Sequence, residues 1–504
     1  MTQLEVYANA LGELRYLQSL PLEAGGIVRG EDFYFAHDLR PSSVALVSAE
    51  GGRGEICQAV VQAVLDAGMR PVNLGPIPTP ALAAYAFARQ RGSIMVTGSH
   101  IPFDLNGYKL NTATGEILKD QEAPITESVL AERGRLYAEP ASSSAFDDSG
   151  MFRDGHRELP AVETGARTDY LNRYVDFFAG LPLAGKTILA YQHSAVGRDL
   201  LVEVLRALGA EVVPAGRSDT FVAIDTEAIG ATELATIQAL VDQSPEQLWA
   251  VVSTDGDSDR PLILGVDNGK VLFFGGDLVG MVTAEYLGAD AVVVPITCND
   301  GIDRGSLASR LEPKTRVGSP FVIAGMDTAL AKGRTKVCGW EANGGFLLGS
   351  DVHRNGLVLS RLATRDALLP IVAVLCAAAE KGAGLSALFG ALPARHSLAA
   401  LKRPFPRATG LAIVEFLKTL KTGDLSAFFP AGFPPVLRTD YTDGVRVLFE
   451  NGDVVHFRPS GNADEFRIYA VADTAQRAQE IVSAGLAEPD GIIRRIERAA
   501  RPTG

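Results

Sequence analysis

Residues 185–214 read GKTILAYQHSAVGRDLLVEVLRALGAEVVP, and their periodicity changes twice. KTILAY at 186–191 is a short apolar run of strand character. VGRDLLVEVLRALG at 196–209 repeats its apolar residues at helical spacing and stops on Gly209, and AEVVPA at 210–215 returns to strand. Strand, helix and strand joined by short turns make an α/β unit. The plan recurs on both sides of it. GRGEICQAVVQAVLDAGMRPVNL at 52–74 runs as a glycine-opened amphipathic helix, a glycine stop and a strand. AVVVPIT at 291–297 reads as a strand and GIDRGSLASRL at 301–311 as a helix. Three units of one plan imply three related α/β domains with mostly parallel sheets.

The tail departs from this plan. GVRVLFENGDVVHFRPS at 444–460 is two alternating strands around Asn451-Gly452, a dipeptide that favours a tight hairpin. EFRIYAVA at 465–472 is a further strand and TAQRAQEIVSAGL at 474–486 a helix, so the end of the chain reads as a smaller α+β domain. MTQLEVYANALGEL opens the chain as a helix. SSSAFDDSG at 142–150 is a polar loop near the end of the first unit, and ALPARHSLAALKRPFPRATG at 391–410 reads as a linker into the last. The expected domains are 1–165, 166–277, 278–392 and 393–504.

Bulk composition narrows the function. A chain of 504 residues suits three or four domains, and 47% hydrophobic with 21% charged residues is ordinary globular composition. A net charge of −13 argues against a nucleic-acid binder. An anionic ligand would then need local Arg and Lys. Cys57, Cys298, Cys338 and Cys376 are scattered and lack metal-ligand spacing, which suits a reduced, cytoplasmic setting. The start of the chain has no basic, apolar signal character, and the longest apolar run, 367–379, contains a proline and is too short to span a bilayer. No membrane is expected as a partner.

Four loops carry chemistry. In TGSHIP at 97–102, Gly98 lets the backbone turn as it leaves an apolar run, and Pro102 stiffens the far side. That exposes Ser99 and His100, with Asn106, Gly107 and Lys109 close behind. A capped surface turn explains the same residues, and a Ser-His-acid triad fits poorly because adjacent residues rarely pair as nucleophile and base. In TDGDSDR at 254–260, Asp255, Asp257 and Asp259 alternate after the apolar strand LWAVVS. Alternate side chains of an extended loop point one way, so three carboxylates converge, and all-oxygen ligation selects a hard cation such as Mg²⁺. An EF-hand wants Gly and Glu where Arg260 and Val266 stand, so that reading fails. In CGWEANGG at 338–345, Glu341 and Asn343 suit sugar hydroxyls. In RPSGNADEFR at 458–467, Arg458, Ser460, the Gly461 and Asn462 backbone and Arg467 form a donor nest that suits a phosphate. Singly, each also reads as a polar turn. Jointly they are a nucleophilic hydroxyl, a cation cage, a hydroxyl reader and a phosphate clamp, one per domain.

These residues resemble the α-D-phosphohexomutase family, the phosphomannomutases and phosphoglucomutases, over nearly the whole chain and in the family's order. The resemblance implies three α/β domains plus a smaller C-terminal domain, heart-shaped around a central cleft. It implies a phosphorylated Ser99, one Mg²⁺ per chain held by Asp255, Asp257, Asp259 and a phosphoserine oxygen, and a hexose 1,6-bisphosphate intermediate. Hexose 6-phosphate and hexose 1-phosphate would interconvert, with mannose favoured over glucose by the EANGG form of the sugar loop. Arg260 and Lys109 would assist, and Lys109 or His100 would handle the hydroxyl proton. A monomer or homodimer acting on small sugar phosphates is implied. A Mg²⁺-dependent sugar phosphatase and a non-catalytic sugar-phosphate binder are the alternatives. The chain departs from the family in four places. It lacks a Gly-x-Arg-Gly strand before the first helix, and AHDLRPSS at 36–43 lacks an arginine before Asp38 although Arg40 and Ser42 match. Ser258 stands where glycine is commoner, and Gly345 where many members carry histidine.

Overall fold

The computed structural model describes residues 1–180, 182–227, 229–460 and 464–501. Its strands are arranged so that two loops leave two sheets at equivalent places. In the first sheet, β1 (Asp32–His37) lies between β2 (Arg70–Pro76) and β3 (Ser93–Val96), parallel to both, and β4 (Tyr108–Asn111) closes the far edge antiparallel to β3. β1 and β3 are buried along almost their whole length, as strands covered on both faces must be. In the second sheet, β5 (Thr187–His193) lies between β6 (Glu211–Arg217) and β7 (Ala250–Thr254), again parallel to both, and β8 (Pro261–Asp267) and β9 (Lys270–Phe274) extend the β7 side antiparallel. The helix between β5 and β6, Arg198–Ala207, buries Leu200, Leu201, Val204 and Leu205. Open α/β sheets bind ligands beyond the carboxyl ends of the strands where the order reverses, here between β1 and β3 and between β5 and β7.

The third set is built differently. β10 (Val337–Trp340), β11 (Phe346–Leu348) and β12 (Leu362–Asp366) pair antiparallel, so the expectation of mostly parallel sheets fails here. The connection from β10 to β11 is a tight turn, too short for the crossover that parallel strands need. The apolar run at 367–379 becomes the buried helix Leu368–Glu380, with Pro370 in its first turn. Among the described residues no helix is long and apolar enough to cross a membrane.

The chain separates into two compact units, Met1–Asp290 with Ser319–Phe389, and Ala291–Gly318 with Gly390–Gly504. The second unit carries β13 (His396–Lys402), β14 (Val436–Asp440), β15 (Val445–Phe449), β16 (Val454–Pro459) and β17 (Phe466–Ala472), in the antiparallel order β13-β17-β16-β15-β14. Val445, Val447, Phe449, Val455, Phe457, Phe466 and Ile468 pack a core with Ile413, Leu417, Ile481 and Ile496 of its helices. Gly452, at φ +87°, turns the expected hairpin between β15 and β16.

Two readings in this unit are corrected. The helix expected at 301–311 is a pair of single 3₁₀ turns, Asp300–Asp303 and Ala308–Arg310. Gly301 and Gly305 weaken a helix there, and the Asn299 side chain diverts the Gly301 N–H at 2.8 Å. The linker expected at 391–410 contains β13, which pairs along its full length with β17, and the start of the helix Arg407–Thr419. Leu398 and Ala400 of β13 pack on the core, an alternation obscured by its polar and proline-rich flanks.

One buried carboxyl predicts a pH effect. Glu13, on the helix Gln3–Ser19, faces Tyr108 of β4; burial pushes its carboxyl up to about 7, opposed by the tyrosine hydroxyl. A folded-state value above the unfolded one means stability present at low pH and lost as pH rises through about 7. Glu13→Gln is therefore expected to add roughly 3 kcal/mol of stability at pH 8, read as a higher thermal midpoint, and to leave the midpoint unchanged below pH ~4.5.

Candidate active site

The serine loop is held from beneath. Asp38, just past β1, is fully buried and paired with the equally buried Arg40; it also accepts from Thr97 Oγ1 at 2.7 Å. Arg40 Nη2 donates to the carbonyls of Ser99 and Ile101 at 3.0 and 2.6 Å, and its guanidinium lies 3.9 Å from the Phe221 ring centroid. The Ser99 N–H donates to Thr97 Oγ1 at 2.8 Å. These contacts hold Ser99 at φ +52°, a left-handed torsion that a serine rarely adopts and that aims its hydroxyl out of the loop. Arg40→Met should strip the partner from a buried carboxylate, at a loss of about 3–5 kcal/mol. The expected readout is a clear fall in urea midpoint, with activity falling further because Ser99 is released.

The metal loop leaves β7 at the equivalent place. Asp255, Asp257 and Asp259 are buried, with ligand atoms that all lie within 4.8 Å of one another. Asp255 Oδ1 accepts the N–H groups of Asp259 and Arg260, each at 3.1 Å, folding the loop on itself. Ser99 Oγ donates to Asp255 Oδ2 at 2.9 Å, across 156 residues of sequence. A Cβ at Gly256 would lie 2.7 Å from the Ser99 carbonyl, so glycine lets the two loops touch. Ser258 sits at φ +58°, which explains why glycine suits this position; here the Ser258 hydroxyl compensates by accepting from the Gly197 N–H at 2.9 Å and bonding Thr254 Oγ1 at 2.8 Å.

Cations answer the three carboxylates. Lys109 Nζ donates to Asp257 Oδ2 at 2.6 Å and to Asp259 Oδ2 at 2.7 Å. Arg365 Nε reaches Asp259 Oδ2 at 3.0 Å, and Arg260 Nε lies 3.6 Å from Asp259 Oδ1. Burial and then the charges of Asp257 and Asp259 push Asp255 well above the carboxylate range. For its two neighbours burial acts the same way but is outweighed, by Lys109 at Asp257 and by Arg365 and Lys109 at Asp259, so both lie low. Burial likewise works against the Lys109 charge, and the same carboxylates overcome it, raising the ammonium above its ordinary value. His100 goes the other way. Burial and Arg260 pull its imidazole down to about 4, and its Nδ1 lies 3.0 Å from Arg260 Nη1. A guanidinium only donates, so Nδ1 accepts and the ring is neutral.

The cluster fits a hard cation. Asp257 Oδ1 and Asp259 Oδ1 are buried and accept no hydrogen bond among the described residues. Unpaired buried oxygens are costly, and an all-oxygen set of this size suits Mg²⁺.

The sugar loop belongs to the same unit. Glu341, at the end of β10, is buried, and its Oε2 accepts from Arg365 Nη1 at 3.2 Å. The Asn343 side chain accepts the Gly345 N–H at 3.0 Å, closing the turn, and the Asn343 backbone carbonyl accepts from Thr226 Oγ1 at 2.9 Å. A cavity of about 520 Å³ opens beside Lys109, Asp259 and Arg365, lined also by Thr79, Glu116 and Thr364. The structure thus brings together Ser99, His100, Lys109, the three aspartates, Arg260 and Glu341, with Asn343 in the turn that carries Glu341.

The phosphate loop lies in the second unit. Arg458 and Arg467 face each other across β16 and β17, Arg458 Nε is 3.1 Å from Asp443 Oδ1, and the Ser460 N–H donates to the Glu465 carbonyl at 3.0 Å. Gly461 and Asn462 lie outside the described residues.

Sequence reading missed two contributors. Thr79 begins a helix and bonds Asp257 through both its hydroxyl, at 2.5 Å, and its N–H, at 3.0 Å. Arg365 lies inside a strand. Neither stands near a glycine-rich or acidic motif.

Comparison with known proteins supplies the context. Residues 52–135 match the description phosphoglucomutase/phosphomannomutase, alpha/beta/alpha domain I, and residues 275–396 match that of domain III. A phosphomannomutase from Sinorhizobium fredii is 40% identical over 470 residues, covering 92% of each chain. One from Salmonella muenchen is 38% identical over 451 residues, covering 90% of this chain and 86% of the other. The crystal structure of a phosphoglucomutase/phosphomannomutase family protein from Burkholderia thailandensis superposes with TM-score 0.68 at 18% identity, covering 100% of this chain and 99% of that one.

Proposed function

This chain belongs to the phosphoglucomutase/phosphomannomutase family of mutase enzymes, and from that premise we propose that it interconverts a hexose 6-phosphate and a hexose 1-phosphate, mannose first, through phospho-Ser99. The observation that carries the reading is the 2.9 Å bond from Ser99 Oγ to Asp255 Oδ2, which puts a hydroxyl on the rim of a three-carboxylate cage. A surface turn has no reason to be held there at a strained torsion. The identity to phosphomannomutases supports mannose, as does the form of the sugar loop.

In the proposed reaction the free sugar hydroxyl attacks the phosphorus on Ser99. The new oxygen–phosphorus bond forms as the Ser99 Oγ–phosphorus bond breaks, giving a hexose 1,6-bisphosphate. After the bisphosphate turns over, the other phosphoryl group returns to Ser99. Asp255, Asp257 and Asp259, with an oxygen of the serine phosphate, would hold Mg²⁺, which offsets charge on the transferring group. Arg260 and Lys109 add fixed positive charge beside that group. Lys109, held charged by two carboxylates, is a poor base, so His100 is the proposed acceptor of the hydroxyl proton, taken at Nδ1 as that atom gives up its bond from Arg260. Glu341 and Asn343 are the proposed readers of sugar hydroxyls, and Arg458, Ser460, Gly461, Asn462 and Arg467 the proposed hold on the phosphate that is not reacting. Four buried cysteines, none of them in a disulfide, suit a reducing compartment, which we take to be the cytoplasm.

Intact-mass measurement tests the reading. One phosphoryl group mapped to Ser99, removed by excess hexose monophosphate and restored by hexose 1,6-bisphosphate, is the expected result. Steady release of inorganic phosphate with no serine phosphate would replace the mutase with a phosphatase.

A further inference from the structure

Arg365 joins two loops that sequence alone leaves separate. From β12 its Nε donates to Asp259 Oδ2 at 3.0 Å, and its Nη1 donates to Glu341 Oε2 at 3.2 Å. One planar fork therefore grips the last carboxylate of the metal loop and the only carboxylate of the sugar loop. Its side chain is only 17% exposed. The strand register explains how it arrives: Phe346 of β11 pairs antiparallel with Asp366 of β12, so Gly345 and Arg365, each one residue before that pair, fall on the same face and lie diagonally across it.

A second observation is independent of these bonds. A Cβ built on Gly345 would fall 2.6, 2.8 and 3.1 Å from Cδ, Cγ and Cβ of Arg365. Gly345 is not among the glycines with positive φ, so its torsions do not demand glycine. What demands it is the arginine stem. The turn closes around that space through Gly345 N–H to Asn343 Oδ1 and Glu341 N–H to the Gly345 carbonyl, at 3.0 and 3.2 Å. The sugar loop is shaped to admit this side chain.

We propose that Arg365 is a positioning residue for the sugar: it fixes the Glu341 carboxylate so that Oε1 faces two neighbouring hydroxyls of the hexose, and it locks that orientation to the metal loop. This rests on the reading of Glu341 as the hydroxyl reader of a hexose-phosphate mutase. A lysine keeps the charge beside Asp259 but lacks the fork that spans both carboxylates. Mere charge compensation of a buried aspartate would be satisfied by lysine.

The test compares Arg365→Lys, Gly345→Ala and Glu341→Gln, singly and paired. Calorimetric binding of mannose 6-phosphate and steady-state kinetics are the readouts. Arg365→Lys is expected to weaken binding and raise KM about tenfold or more, with kcat changed less and the midpoint of Mg²⁺ activation within about twofold. Gly345→Ala, which adds no charge and removes none, is expected to displace the stem and reproduce that loss. In the Glu341→Gln background both effects should shrink to within about twofold, since contacting residues couple non-additively. Arg365→Lys with unchanged sugar affinity, or losses that persist in full without Glu341, overturns the proposal. If one variant does not fold, the other carries the same comparison. Binding is read without turnover, so an unphosphorylated Ser99 would defeat the mutase reading while the coupling of residues 341 and 365 is still decided.

Discussion

Ser99→Ala is expected to lose mutase turnover by at least about 10³-fold while binding hexose phosphate within a few-fold of the parent. The loss is large because covalent carriage divides one difficult transfer into two feasible ones. Binding should survive because the loop is not held by the hydroxyl. Arg40 grips the Ser99 and Ile101 carbonyls and Thr97 grips the Ser99 N–H, all through backbone atoms that alanine retains. Asp255 keeps both its backbone donors, so the metal loop should remain folded. The checks are a coupled assay from mannose 1-phosphate with added 1,6-bisphosphate, and intact mass. The variant should carry no phosphoryl group and should not regain activity with bisphosphate. Turnover within tenfold of the parent would remove Ser99 as the carrier.

How much of this was legible in the sequence differed by element. The 185–214 unit was readable because its apolar period switches cleanly, and Asn451-Gly452 was readable because a glycine at φ +87° is what a tight hairpin needs. The strand His396–Lys402 was not, since edge pairing to Phe466–Ala472 is a long-range event and its flanks look like linker. The false helix at 301–311 shows the converse. Its helical spacing was real, but two glycines and the Asn299 side chain make local turns cheaper than a helix. In the site, the alternating aspartates announced themselves because alternation in an extended loop is geometry that sequence displays directly. Arg365 did not. It sits in the strand LATRD without a glycine or proline beside it, and only the pairing of Phe346 with Asp366 brings it to Glu341. Thr79 is similar, a helix-start threonine whose partner Asp257 is 178 residues away. Chemistry written in loops was visible from the sequence; chemistry delivered by strand register was not.

Removing the cation, or one carboxylate that would hold it, should have the second largest effect. Asp257 Oδ1 is buried without a hydrogen bond among the described residues, while its Oδ2 is satisfied by Thr79 and Lys109, so the unanswered oxygen is the one available to a cation. Bound Mg²⁺ should stabilise the folded chain by mass action, by about 2.7 kcal/mol at one hundred times the dissociation constant. A thermal scan of the parent is therefore expected to move upward with Mg²⁺ and back with chelator. Asp257→Asn preserves the shape but puts an amide where an oxygen anion stood. In chelator it should be modestly less stable than the parent, because the Asp257 charge is favoured by Lys109, which is left with Asp259 as its partner. In Mg²⁺ it should show little of the upward shift, and turnover should fall by about 10²-fold or more, in line with losing charge stabilisation of the transferring phosphoryl group. The two halves of this expectation separate a cation cage from a purely structural carboxylate cluster. Were the cluster structural, Asp257→Asn would destabilise the chain equally with and without Mg²⁺, and the parent would not respond to chelator.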